Sequence, residues 1–129
     1  MNRRDARILV MQYIFQMDAQ KDFTVCALDG FLSDKNIANQ KAYILNTIDR
    51  VCQHIDDIDS NINQCAEGWS VNRIAKVDLS ILRLATAEIL YVSDIPKSVS
   101  INEAVELAKL YSDDKSPKFI NAVLKNIGQ

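Results

Sequence analysis

Apolar residues recur along this chain at intervals of three, four and seven, and no stretch alternates apolar with polar over the length of a strand. The first pattern lines one face of a helix, and the second is the mark of a half-buried strand. Composition agrees. Only 3 Gly and 2 Pro in 129 residues leave little material for the many tight turns of a sandwich or barrel. The expectation is an all-α fold, a bundle of about seven helices. A chain of this size buries roughly two thirds of its unfolded surface and folds without disulfides or metal.

The spacing predicts a first helix from about Arg3 to Met17, with Ile8, Leu9, Val10, Met11, Tyr13, Ile14 and Phe15 crowding most of its circumference. A surface helix carries one apolar stripe, so this one is expected to be covered on more than one side. Residues 18–34 are the least regular, and a short helix is expected there, interrupted near Gly30. Two helices follow, 36–55 and 57–66, divided at Asp56-Asp57, because Asp suits a helix cap and first turn. Gly68 reads as a terminator, Ser70 as the cap of a short helix, and Asp78 or Ser80 as the start of the next. Ile95-Pro96 closes that helix. Ser100-Ile101-Asn102-Glu103 has the form of a capping box, and Ser116-Pro117 that of a cap followed by proline at the first turn.

Catalysis finds little support. The single histidine, His54, sits in a regular helical pattern with no metal-ligand spacing around it. Asp56, Asp57 and Asp59 lack the glycine and closing glutamate of a calcium loop. Cys26, Cys52 and Cys65 are too far apart for a zinc site and read as buried thiols of a reducing compartment. No enzyme, cofactor or metal is expected. No apolar run reaches the length of a membrane span, and Met-Asn-Arg-Arg-Asp does not begin a secretory signal. A cytoplasmic location is expected.

Charge is more informative. The net charge is −2, with 7 Lys/Arg against 9 Asp/Glu in residues 1–66 and 8 against 8 in residues 67–129. Within this balance two helix starts carry cations: Arg3, Arg4 and Arg7 in the first, Lys115 and Lys118 in the last. Cations there oppose the helix dipole, so helix stability does not ask for them. Two readings stand, a phosphate site at loose helix amides and an ordinary solvated surface.

The segment Trp69-Ser70-Val71-Asn72-Arg73-Ile74, then Val77-Asp78, Ile81-Leu82-Arg83-Leu84-Ala85 and Glu88-Ile89-Leu90, resembles the NusB family of transcription antitermination factors. Ile95-Pro96, Ile101-Asn102-Glu103-Ala104-Val105-Glu106-Leu107-Ala108-Lys109, Ser116, Lys118-Phe119, Asn121 and Val123-Leu124 continue the likeness. Before residue 67 it thins to Arg3-Arg4, Ala6-Arg7 and Gln12.

The resemblance implies one NusB-like domain of two small helical subdomains, roughly 1–66 and 67–129, with the first helix lodged against both. It implies pairing with NusE, a small-subunit ribosomal protein. The pair would bind boxA RNA of nascent transcripts, notably ribosomal RNA leaders, within the RNA polymerase antitermination complex. By position it assigns Arg3, Arg4, Arg7, Gln12, Lys115, Lys118 and Phe119 to RNA, and Phe15 and Asp78 to the partner. Phe119 has two readings, a core residue or a base-stacking platform, and Asp78 two, an interface carboxylate or a helix cap. The chain departs from the family pattern at Asp5, at Ile8 and at Phe15, which lacks the hydroxyl of the usual Tyr. These changes imply weaker intrinsic RNA affinity and more dependence on the partner. The alternative is a NusB-like interaction module like that of RNA cytosine methyltransferases, although no cofactor motif for such an enzyme stands in this sequence. Monomer and homodimer both remain open.

Overall fold

A helix apolar over most of its circumference must be covered on more than one side, and the chain packs its helices accordingly. The computed structural model describes residues 1–128. In order, the helices are α1 (Arg3–Gln20), α2 (Leu28–Leu32), α3 (Lys41–Gln53), α4 (Ile55–Cys65), α5 (Lys76–Tyr91), α6 (Lys97–Tyr111) and α7 (Ser116–Leu124), with a 3-10 turn at Ala38–Gln40. The described residues contain no strand. The all-α expectation of about seven helices holds. The most deeply surrounded helix is α5: every residue from Asp78 to Glu88 is buried, and α1, α3, α4, α6 and α7 all pack on it. Helix α1 is covered as expected, by α3 and α5, with Phe31 of α2 against Tyr13. Phe15 is the exception and stays exposed.

Several boundaries differ from those the spacing predicts. The break between α3 and α4 falls at His54, whose ring stacks on Tyr91 at 4.0 Å, and Asp56 and Asp57 lie inside the first turn of α4. There the carboxylates favour the helix dipole without capping anything. Gly30 does not interrupt α2 but sits within it. No helix forms at Ser70: the Ser70 carbonyl accepts from Arg73 and Ile74 in a turn, since a single turn has too few hydrogen bonds to offset its nucleation cost. Gly68, at φ 78°, supplies the left-handed residue that turns the chain after α4. Cys26 is exposed rather than buried, while burial pushes the Cys52 thiol up to about 11 and keeps it protonated.

The capping expectations are corrected in an instructive way. Helix α6 starts directly after Pro96, so Ser100 and Glu103 lie inside it rather than at its cap. Ser100 Oγ donates to Glu88 Oε1 at 2.8 Å, and Glu103 faces α1. At α7 Ser116 is the first helical residue rather than the cap; the cap position is Lys115, and Asp113 before it accepts with Oδ1 from the amides of Lys115 and Ser116 at 2.9 and 3.1 Å. Helices α6 and α7 form an antiparallel hairpin, closed by Lys97 Nζ donating to the Ile127 carbonyl at 2.6 Å.

Two buried arginines clamp α5 to its neighbours. Arg7 of α1 donates to both oxygens of Glu88 at 2.8 and 3.0 Å, and Glu88 also accepts from Tyr43 of α3. Arg83 of α5 donates to Asp59 of α4 twice at 2.9 Å and to Asp18 of α1 at 2.9 Å. Burial alone would raise the Asp18 carboxyl, but hydrogen bonds from Arg83 and Lys76 outweigh it and hold it below its ordinary value.

Breaking one partner of such a pair leaves a buried charge unpaired, which costs about 3–5 kcal/mol. Glu88→Ala is expected to lose stability in that range in urea unfolding, because Arg7 is 4% exposed and has only the more distant Glu103 left. The second clamp is sensitive to acid. A depressed carboxyl contributes stability above its ordinary pKa and loses it as pH falls through the folded value. The advantage of the wild type over Arg83→Met, measured by thermal melts across pH, is therefore expected to be full at neutral pH and to shrink below about pH 4.

Candidate nucleic-acid interface

Of the three arginines at the start of α1, two reach solvent. Arg3 is exposed, donates from Nε to Gln40 Oε1 at 2.7 Å and lies 4.3 Å over the Tyr43 ring. Arg4 is also exposed and pairs through Nη2 with Glu103 Oε2 at 2.7 Å. Arg7 is not a surface cation. It is buried against Glu88, so the expectation that it meets an RNA phosphate directly is corrected, because its fork is already filled by a carboxylate.

The start of α7 borders a cleft of about 410 Å³, lined by Trp69, Arg73, Ile74, Asp78, Lys115 and Phe119 among others. Trp69 is 49% exposed, its ring edge-on to Phe119 at 6.2 Å, with the Arg73 guanidinium 5.7 Å from its centre. Phe119 combines its two readings: half-buried, it packs on the core and also faces the cleft. Lys115 is exposed at the rim, and Lys118 is exposed in the first turn of α7. The sequence reading passed over Trp69 and Arg73 as site residues. Their signal was present, the only tryptophan of the chain followed four residues on by a cation, but nothing in the spacing told which helix they would face.

Asp78 is buried at the back of this cleft. Its two oxygens accept from Ser112 Oγ at 2.5 Å and Ser116 Oγ at 2.8 Å. It does not cap α5, whose first residue is Lys76 and whose cap position, Ala75, makes no side-chain bond. The cap reading is thus corrected: Asp78 ties α5 to the start of α7.

Between the cation groups lies a shallow groove of about 230 Å³, lined by Met11, Gln12, Phe15, Val77, Ser80 and Tyr111. Gln12 is exposed, Phe15 is 43% exposed and Tyr111 44%. The two helix starts stand apart along α6. Arg4 meets Glu103 in the middle of α6, whereas α7 starts after the end of α6 at Tyr111, roughly 12 Å further along. Among the described residues no cluster of three or more His, Cys, Asp or Glu is placed to hold a metal ion, and no helix is long and apolar enough to cross a membrane.

A buried α5 with five helices packed on it, and an exposed cationic and aromatic face beside an apolar groove, define an all-α helical module with a surface suited to recognition. The sequence model of the NusB family matches residues 4–129. The transcription antitermination protein NusB of Alkaliphilus oremlandii is 44% identical over 125 residues, covering 96% of this chain and 91% of that protein. That of Clostridium novyi is 42% identical over 130 residues, covering 98% of both. Among solved structures, NusB of T. maritima superposes with a TM-score of 0.84 at 35% identity, covering 98% of this chain and 90% of that one. A crystal structure of the antitermination factors NusB and NusE in complex with dsRNA matches with a TM-score of 0.84 at 30% identity, covering 97% and 94%. The chain belongs to the NusB family.

Removing Asp78 would take from Ser112 and Ser116 their buried carboxylate acceptor and leave them only each other at 2.8 Å and Asp113 at 3.1 Å, a loss of about 1 kcal/mol. Asp78→Ala is expected to lower the thermal midpoint accordingly. A midpoint unchanged from wild type would show that the Ser112–Asp78–Ser116 bridge holds nothing in place.

Proposed function

We propose that this chain is a transcription antitermination factor that pairs with NusE and, with it, binds boxA-type single-stranded RNA of nascent transcripts, notably ribosomal RNA leaders. It works as one domain, residues 1–129 with halves meeting near residue 66, inside the RNA polymerase antitermination complex in the cytoplasm, and it acts by binding rather than by catalysis. The observation that carries this reading is the cleft at the start of α7. There Lys115, Arg73 and two accessible rings stand together, with Lys118 exposed in the first turn of α7, the combination of backbone cations and stacking faces that unpaired nucleotides require. Its relatives, matched nearly end to end, are named as antitermination proteins, and one solved relative is in complex with NusE and dsRNA.

In this reading Arg3, Arg4, Lys115 and Lys118 meet phosphates, Gln12 lies beside the RNA path, and Phe119 and Trp69 offer stacking faces. Phe15, with Tyr111 and Val77, forms the partner surface, and Asp78 holds the adjoining wall in shape. Arg7 contributes by anchoring the start of α1 rather than by touching RNA.

The test is binding of labelled boxA-type RNA by the protein–NusE pair across a salt series. Ala substitution of Arg3, Lys115 or Lys118 is expected to shallow the salt dependence by roughly 0.7 per lost phosphate contact, and that of Arg4 by less, because Arg4 is already paired with Glu103. Phe119→Ala is expected to weaken RNA binding by about 1–3 kcal/mol, and the emission of Trp69, the sole tryptophan, to change on RNA addition. Wild-type affinity and slope in all four charge variants would defeat the proposal.

A further inference from the structure

The arginine-rich start of α1 is electrically balanced by the fold. Asp5 stands in the same turn, and α5 and α6 bring in Glu88 and Glu103, so three guanidinium groups are set against three carboxylates. The three cations differ in how they are held. Arg7 is buried and committed to Glu88. Arg3 has neutral partners, the Gln40 amide and the Tyr43 ring. Arg4 is accessible, with a side chain 48% exposed, yet its Nη2 and Nε donate to the two oxygens of Glu103 at 2.7 and 3.3 Å.

That pairing uses the two-donor edge of the guanidinium, which is the edge that binds a phosphate in fork geometry. Glu103 is itself held in place. Its side chain is only 20% exposed, and Oε1 also accepts from Arg7 Nη1 at 3.4 Å. The hydrogen bond from Arg4 keeps its carboxyl below the ordinary range, so it is charged at neutral pH.

We propose that Glu103 sets the RNA affinity of this site by competing for Arg4: an RNA phosphate gains the fork of Arg4 only by displacing the Glu103 carboxylate. The inference rests on the RNA-binding reading above and adds to it a residue that opposes binding. Displacement exchanges one charge-assisted pair for another, so Arg4 adds little net attraction. The displaced carboxylate then stands close to the incoming phosphate and repels it. RNA binding by the isolated chain is held weak in this way, and contacts supplied by the protein partner are needed to complete it.

Glu103→Gln retains the size and an oxygen acceptor while removing the competing charge. Wild type, E103Q, R4Q and the double variant E103Q/R4Q are compared for boxA-type RNA binding, alone and with NusE, across a salt series, with circular dichroism confirming the fold. E103Q is expected to bind about five- to tenfold more tightly at low salt, with the salt slope steeper by roughly 0.7, as one more cation becomes free to neutralise a phosphate. The gain is expected to vanish in the R4Q background, since it passes through that one pair. Unchanged or weaker binding by a folded E103Q overturns the proposal, as does an equal gain without Arg4, which would make Glu103 a diffuse charge only. If wild type binds RNA and E103Q shows no gain, this inference alone falls. If neither binds RNA in either setting, the RNA-binding reading falls with it. Should E103Q fail to fold, the Arg4 Nε–H resonance of the wild type decides: it is expected to shift on RNA addition, and an unmoved resonance at saturating RNA overturns the proposal.

Discussion

Glu88 is the group on which the arrangement depends. It is buried in the middle of the fold and accepts hydrogen bonds from three other helices, through Arg7 of α1, Tyr43 of α3 and Ser100 of α6. A lone carboxylate at such depth would cost several kcal/mol of lost hydration, so it is tolerated only with this full set of donors. Tyr43 serves as a donor throughout the physiological range, because burial and the neighbouring Glu88 push its hydroxyl far above the ordinary value. The same partners position the surface. Arg7 fixes the first turns of α1, Tyr43 offers its ring to Arg3, and Glu103 lies one turn beyond Ser100 in reach of Arg4. The exposed cations are therefore placed by a buried one.

This explains which features the sequence displayed and which it concealed. Helix content was legible because apolar spacing reports burial directly, and the crowded circumference of α1 correctly announced a helix covered on more than one side. The central role of α5 was less visible, since its buried face includes Asp78, Ser80, Arg83, Thr86 and Glu88, residues that a pattern of apolar positions counts as exposed. Ser100 and Glu103 were misread for a related reason. A Ser and a Glu three residues apart fit a capping box in one dimension, but Pro96 had already started the helix, and both side chains were drawn to arginines and carboxylates distant in sequence. Arg7 shows the same limit from the other side: among three neighbouring arginines, only the helical rotation relative to α5 decides which one turns inward.

The distribution of charge also bears on how an acidic chain could hold a polyanion. A net charge of −2 provides no general attraction, so the favourable field has to be local. At the start of α1 most of the cationic charge is matched by carboxylates, which leaves Arg3 with neutral partners. At the start of α7 the matching is looser: Lys118 is exposed, and Lys115 and Arg73 border a cleft whose Asp78 is turned inward to two serines and whose Asp113 is occupied by backbone amides. The hydrogen bonds from Lys115 and Ser116 hold the Asp113 carboxyl below its ordinary range, so its charge persists but is directed at the helix end. The α7 cleft is consequently the stronger of the two cation groups for an incoming phosphate.

The groove at Phe15 gives the two groups a common purpose. Gln12 and Phe15 lie two to three turns beyond Arg4 on α1, and Tyr111 lies just before the loop that leads to Lys115. A protein seated on that groove would stand beside both cation groups, one along α1 and the other across the α6–α7 loop. RNA held at the α7 cleft would then run along the edge of the seated protein and touch both at once. Binding of the second component becomes local once the first is in place, which raises its effective concentration without any new contact within this chain. In the proposed function, an RNA site largely neutralised at one end and an apolar groove with exposed rings beside it would each be weak separately, and each would gain from the other.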